Sequence, residues 1–123
     1  MAKRVLVCDD EPLMRQVLVD CLKADGWQVV GQAGDGQQAI ELYRRLRPDV
    51  VTMDVVMPGV DGLHALERIL EFDPQAKIVM VSALSHARLV MEASRKGAHD
   101  FIAKPFLVEH LRQTLHSCEP VGV

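Results

Sequence analysis

No apolar run in the 123 residues approaches the roughly 20 needed to cross a bilayer, so no membrane helix is expected. The chain starts with a short basic stretch, but the apolar segment that follows is too short for a signal peptide. Cys8, Cys21 and Cys118 are odd in number, far apart and contain no Cys-x-x-Cys pair. That excludes a disulfide framework and a cysteine-built metal centre, and fits buried free thiols in a reducing, cytoplasmic setting. Positive charge is not in excess: the formal net charge is −3, which weighs against direct nucleic-acid binding by this domain. The five histidines, His64, His86, His99, His110 and His116, form no ligand pair on a shared helix face and read as surface residues. Repeats, low-complexity segments and internal linkers are also missing. What remains, 49% hydrophobic and 25% charged residues, is the composition of one ordinary globular domain. Residues 1–118 are expected to form it, with 119–123 as a tail or the start of a linker.

Short apolar runs alternate with amphipathic stretches. The predicted strands are Val5–Cys8, Gln28–Gln32, Val50–Met53, Ile78–Val81 and Phe101–Ala103. They are rich in Val and Ile and mostly lack strict alternation, as strands covered on both faces do. Between them lie helices with readable ends. Pro12 suits a first helical position, and Met14, Val17, Leu18 and Cys21 recur at helical spacing until Gly26. Asp35 and Gln38 have capping-box spacing before an inward stripe of Ala39, Tyr43 and Leu46, which Pro48 stops. Asp61 caps a third helix carrying Leu63, Leu66, Ile69 and Leu70. Ser85 is expected to cap a fourth, with Val90 and Ala93 inward and Gly97 at its end; Val108, Leu111 and Leu115 stripe a fifth. Such alternation implies an α/β fold, a doubly wound parallel sheet with right-handed crossovers and helices on both faces.

In such sheets ligands sit beyond the carboxyl ends of the strands. The first predicted strand runs into Asp9, Asp10 and Glu11, the third into Asp54, the fourth ends at Ser82 and the fifth at Lys104. The second ends in Ala33-Gly34-Asp35, which already reads as a helix start. If the strand order is 2-1-3-4-5, one of the common doubly wound orders, the first and third strands are neighbours and these groups share one mouth. Carboxylates crowded together repel unless a cation intervenes, and Mg²⁺ takes one or two carboxylates while keeping waters and phosphate oxygens. Lys104 adds a point positive charge, Ser82 a hydroxyl, and Asp54 a nucleophile for a phosphoryl group. Each group alone has an ordinary explanation. The acids after the first strand would favour a helix N-terminus, Asp54 would suit a turn, Lys104 a solvated surface and Ser82 a loop. Their joint placement after four separate strands is what those explanations leave out.

The stretches "VLVCDDEP", "VTMDVVMPGVDG", "IVMVSALS" and "GAHDFIAKPF" lie in the order found in response-regulator receiver domains of two-component signalling. Over residues 3–117 the chain resembles that family, most nearly its CheY-like chemotaxis members. The resemblance implies a flavodoxin-like (βα)5 fold of order 2-1-3-4-5. It implies that Asp54 is the phosphoacceptor, Asp10 a direct Mg²⁺ ligand, Asp9 a ligand mainly through water, and the Val56 carbonyl a further ligand. It implies that Ser82 and Lys104 contact the phosphoryl group and that Lys104-Pro105 is a cis bond. Phe101 stands at the switch-aromatic position; it lacks a hydroxyl, so switching there rests on packing, and its plainer reading is a core residue. Val56 and Leu84 would rim the site, or merely pack against loop neighbours. The implied partners are a sensor histidine kinase and an output protein or domain bound through the face of the fourth helix, fifth strand and fifth helix.

The expected function is therefore a phosphorylation-driven switch rather than an enzyme turning over external substrates. An aspartyl-phosphate phosphatase would carry a second acid two residues after its nucleophile, and Val56 stands there. A flavin carrier would need Gly, Ser or Thr after the first strand, where this chain has acids. The alternative within the family is a receiver belonging to a larger regulator with a DNA-binding or methylesterase output domain.

Overall fold

Alternate residues of the central strands serve two different layers, and the whole arrangement follows from that. The computed structural model describes residues 3–120; residues 1, 2 and 121–123, including the end of the expected tail, lie outside the described residues. The elements run β1 (Lys3–Cys8), α1 (Pro12–Ala24), β2 (Trp27–Ala33), α2 (Gly36–Leu46), β3 (Val50–Met53), α3 (Gly62–Phe72), β4 (Ile78–Ser82), α4 (Ala87–Arg95), β5 (Asp100–Ala103) and α5 (Val108–His116). All strand pairs are parallel, in the order β2-β1-β3-β4-β5. Val5, Val7, Val50, Val79, Val81 and Ile102 pack with Leu18, Val19, Leu22, Leu111 and Leu115 of α1 and α5. Leu6, Cys8, Val51, Met53, Ile78 and Met80 pack with α2, α3 and α4. Because both layers are apolar, the strands read as continuous hydrophobic runs although their side chains alternate with period two.

Several local expectations hold in detail. Pro12 opens α1, and Asp35 accepts from the Gln38 N–H at 2.8 Å. The return arm of that capping box differs: Gln38 Oε1 accepts from the Gly34 N–H at 2.9 Å, one residue before the cap. Asp61 accepts from the His64 N–H at 2.9 Å, and the Lys104-Pro105 bond is cis. Cys8 and Cys118 are buried, and burial pushes both thiols up, with Asp9 adding to the effect at Cys8.

Other expectations are corrected. The cap of α4 is His86, not Ser85: its Nδ1 accepts from the Leu89 N–H at 3.2 Å, so an exposed histidine does what a hydroxyl was expected to do. In α1 the buried face is Leu18, Val19 and Leu22, while Val17 is 42% exposed and Cys21 only partly buried. Val17-Leu18-Val19 is apolar throughout, so periodicity alone could not choose its phase; contact with the sheet and Trp27 does. In α5, Leu111, Thr114 and Leu115 face inward, whereas Val108 is half-exposed and lines an open groove with Cys21 and Ala24 of α1.

Thr52 of β3 lies between Val7 and Val79 on neighbouring strands, buried, and among the described residues its hydroxyl has no hydrogen-bond partner. A buried hydroxyl without a partner costs free energy that a methyl group does not. Thr52→Val is therefore expected to stabilise the fold by about 1 kcal/mol. The measurement is the urea midpoint at constant slope, and an unchanged or lower midpoint contradicts this reading of Thr52.

Candidate functional site

Period two carries past the strand ends. Asp9 continues the parity of Val5 and Val7, Asp54 that of Val50 and Thr52, and Lys104 that of Ile102, so all three are aimed to the α1/α5 side of the sheet's carboxyl edge. Hydrogen bonds secure this placement. The Asp9 N–H donates to the Ala33 carbonyl at 2.9 Å and the Asp54 N–H to the Cys8 carbonyl at 3.0 Å, extending both ladders by one residue. The Lys104 N–H donates to the Ser82 carbonyl at 2.9 Å.

The side chains meet. Lys104 Nζ lies 2.7 Å from Asp9 Oδ2 and 3.1 Å from Asp54 Oδ2. The three side chains are largely sealed: side-chain exposure is 11% for Lys104, 1% for Asp9 and 10% for Asp54. Burial pulls the Lys104 ammonium down, but hydrogen bonds and charge from Asp9 and Asp54 outweigh it, and its pKa stands above the ordinary lysine range. Asp9 Oδ1 also accepts from the Glu11 N–H at 2.9 Å, so every carboxylate oxygen of Asp9 is engaged. Among the described residues Asp54 Oδ1 has only a long contact of 3.4 Å, from the Val56 N–H. Asp10 is exposed, and among the described residues its carboxylate has no protein partner.

The loop after Asp54 is held by two close approaches that need glycine. A Cβ on Gly62 would lie 1.8 Å from the Asp54 carbonyl oxygen, and one on Gly36 would lie 2.1 Å from the Val60 carbonyl oxygen. Both glycines donate N–H bonds into this loop, Gly62 to Val55 at 2.8 Å and Gly36 to Val60 at 3.1 Å. Neither Gly36 nor Gly62 is singled out by the sequence, because no local signal marks a glycine whose need is set by a carbonyl on another part of the loop.

Ser82 is fully buried on the opposite parity, and its hydroxyl accepts from the Leu84 N–H at 3.2 Å. Phe101 is half-buried against the α2/α3/α4 layer and lines a cavity of about 190 Å³ with Val90, Ala93 and Ala98. Val56 and Leu84 are exposed, at 54% and 48%. The residues expected to form the site thus fall into three groups. Asp9, Asp10, Asp54 and Lys104 come together; Ser82 stands beside them at the end of β4; Phe101 lies in the layer beneath. Arg15 was missed: its Nη1 donates to the Asp9 carbonyl at 2.7 Å.

One oxygen from each of Asp9, Asp10 and Asp54 lies within 4.8 Å of the others. An all-oxygen donor set facing one ammonium is still short of positive charge, and it suits a hard divalent cation rather than a thiophilic one. Among the described residues no helix is long and apolar enough to cross a membrane.

Comparison with known proteins agrees with this geometry. Residues 5–116 match the model of the response regulator receiver domain. The chain is 43% identical over 116 residues to the chemotaxis protein CheY of Thermotoga maritima, covering 94% of this chain and 97% of that one. In structure it is similar to CheY in the CheX–CheY–BeF3–Mg²⁺ complex from Borrelia burgdorferi, with a TM-score of 0.90 and 34% identity over 93% of this chain and 87% of that one. It is also similar to the response regulator domain of Thermotoga maritima CheB, with a TM-score of 0.85 and 37% identity over 96% and 97% of the two chains. A sheet of this order, three acids and a lysine at its carboxyl edge, and a family match across nearly the whole chain lead to one statement: the chain belongs to the response regulator receiver domain family.

Proposed function

We propose that the protein is a phosphorylation-driven signalling switch in which Asp54 accepts a phosphoryl group from the phosphohistidine of a sensor kinase. The observation that carries this reading is the convergence of Asp54 with Asp9, Asp10 and the Lys104 ammonium at the sheet's carboxyl edge. An oxygen of Asp54 attacks phosphorus as the phosphorus–nitrogen bond breaks; the imidazole leaves with that electron pair and takes a proton from solvent. Asp54 Oδ1, with only its long contact to Val56, is the oxygen less committed to the protein. Lys104, already shared between two carboxylates, neutralises charge that builds on the phosphoryl oxygens. Mg²⁺, when bound by Asp9, Asp10, Asp54 and the Val56 carbonyl, would supply further positive charge against those oxygens.

The readout uses Ser82 and Phe101. Turning the Ser82 hydroxyl to the phosphoryl group gives up its bond from Leu84 N–H and draws the β4–α4 loop inward. Phe101 then repacks by shape alone, and the cavity beside it leaves room for that. The face of α4, β5 and α5 changes its affinity for an output partner by shifting an existing equilibrium. The similarity to CheY favours a chemotaxis partner, and the switch itself does not turn over external substrates. The similarity to the response regulator domain of CheB favours a second context, a receiver covering residues 1–118 joined through 119–123 to an output domain such as a methylesterase or DNA-binding unit. In either context the protein is expected in the cytoplasm, with no nucleic-acid contact through this domain.

Three outcomes are expected. Acetyl phosphate with Mg²⁺ adds one phosphoryl group, located at Asp54 by peptide mass spectrometry; specific label retained by Asp54→Ala refutes the acceptor. Asp10→Ala abolishes Mg²⁺ binding at millimolar concentration in a calorimetric titration, and parental affinity there removes Asp10 from the ligand set. Val56 and Leu84 carry apolar side chains where water must approach the acyl phosphate, so decay after donor removal is slow. Val56→Asn with Leu84→Glu is expected to speed it about tenfold, a barrier change of about 1.4 kcal/mol. A folded double variant that decays at the parental rate shows that these side chains do not control it.

A further inference from the structure

Asp10 is the exposed acid of the site, and its side chain has no protein partner among the described residues, so its direction is set by the backbone that carries it. The peptide linking Asp9 to Asp10 is planar, and its orientation decides where the Asp10 side chain leaves the loop. The N–H of Asp9 and both its carboxylate oxygens are occupied by Ala33, Glu11 and Lys104. The Asp9 carbonyl lies beyond the last paired residues of β1, which end at Cys8 with Ala33 and with Met53. A carbonyl in so buried a residue needs a donor.

Arg15, in the first turns of α1, is that donor. Its Nη1 bonds the Asp9 carbonyl at 2.7 Å, a charge-assisted distance, and its Nε reaches Gln32 Oε1 on β2 at 3.3 Å. The guanidinium also passes over Gly34, where a Cβ would lie 3.4 Å from Nη1. One planar group therefore ties α1, the end of β1 and the end of β2, a fork that lysine cannot reproduce. Strand β2 delivers no reactive group to the site, yet it braces the residue that holds the loop.

We infer that Arg15 is a positioning residue for the acidic centre: by pinning the Asp9 carbonyl it aims the Asp10 carboxylate at the cation site. The inference rests on the proposed Mg²⁺ site at Asp9, Asp10 and Asp54. Coulomb's law alone makes the opposite forecast, because removing a positive charge beside an acidic cluster should tighten cation binding. The sign of the change therefore separates positioning from simple charge.

The test is calorimetric titration of Mg²⁺ into the unphosphorylated protein, with Arg15→Met, Arg15→Lys and Asp10→Ala compared under conditions where urea curves show each variant folded. Arg15→Met is expected to weaken Mg²⁺ binding about tenfold, the usual scale for losing a group that orients a ligand. Arg15→Lys, keeping a donor for the carbonyl but losing the fork, should recover part of that loss. The Mg²⁺ concentration giving half-maximal phosphorylation by acetyl phosphate should rise in step, while the rate at saturating Mg²⁺ stays near the parental value. Parental or tighter binding by Arg15→Met, with Asp10→Ala still losing Mg²⁺, overturns the role of Arg15 alone. Parental binding by Asp10→Ala overturns the site reading and this inference with it.

Discussion

One ammonium between two buried carboxylates holds the end of this sheet together. Lys104 comes from the strand at one edge, Asp9 from next to the other edge and Asp54 from between them. Removing the lysine would leave Asp9 and Asp54 facing each other with little water, and breaking a buried pair from one side commonly costs about 3–5 kcal/mol. The interaction is therefore structural before it is chemical. It closes the mouth across β1, β3, β4 and β5, and it sets the distance between acids that a cation would bridge.

The same contact creates a tension that suits a switch. An ammonium fully used by two carboxylates stabilises the unmodified state; a phosphoryl group on Asp54 would compete for it. Any gain at the phosphoryl oxygens would be offset by what Asp9 and Asp54 give up, which would narrow the energy gap between the two states. The surroundings are graded to match. Among the described residues Asp9 is fully engaged, Asp54 partly, and Asp10 on its protein side not at all. Protein contacts to the three acids thus become fewer from the sheet outward.

On the proposed switch reading, coupling from this mouth to the surface would run along β4 and β5. Ser82 and Phe101 have the parity of the α2/α3/α4 layer, opposite to Asp9, Asp54 and Lys104. The two sides of the sheet are joined through adjacent strands that share backbone hydrogen bonds, such as the one from Lys104 to Ser82. Phe101 has no hydroxyl, so on the proposed switch reading any rearrangement there would rest on packing alone, beside a cavity of about 190 Å³.

Much of this was legible in the sequence because it depends on short-range pattern. Five apolar runs, their spacing, the caps Asp35 and Asp61, the breaker Pro48 and the acids or lysine at strand ends are all local features. Each strand end needed only its own few residues to be read, and the family resemblance supplied the strand order that brings them together. What the sequence could not decide was phase and long-range fit. Val17, Leu18 and Val19 are alike in hydropathy, and only packing against the sheet turned Val17 outward. His86 takes the cap position expected of Ser85, its ring nitrogen accepting from the Leu89 N–H, a choice made by how the chain enters the helix in space and not by residue type. Gly36, Gly62 and Arg15 matter through partners far away in the chain or across the loop, contacts that exist only once the sheet has assembled. Composition and periodicity specify which surfaces must be buried; the tertiary structure alone decides which atoms then come within hydrogen-bonding distance.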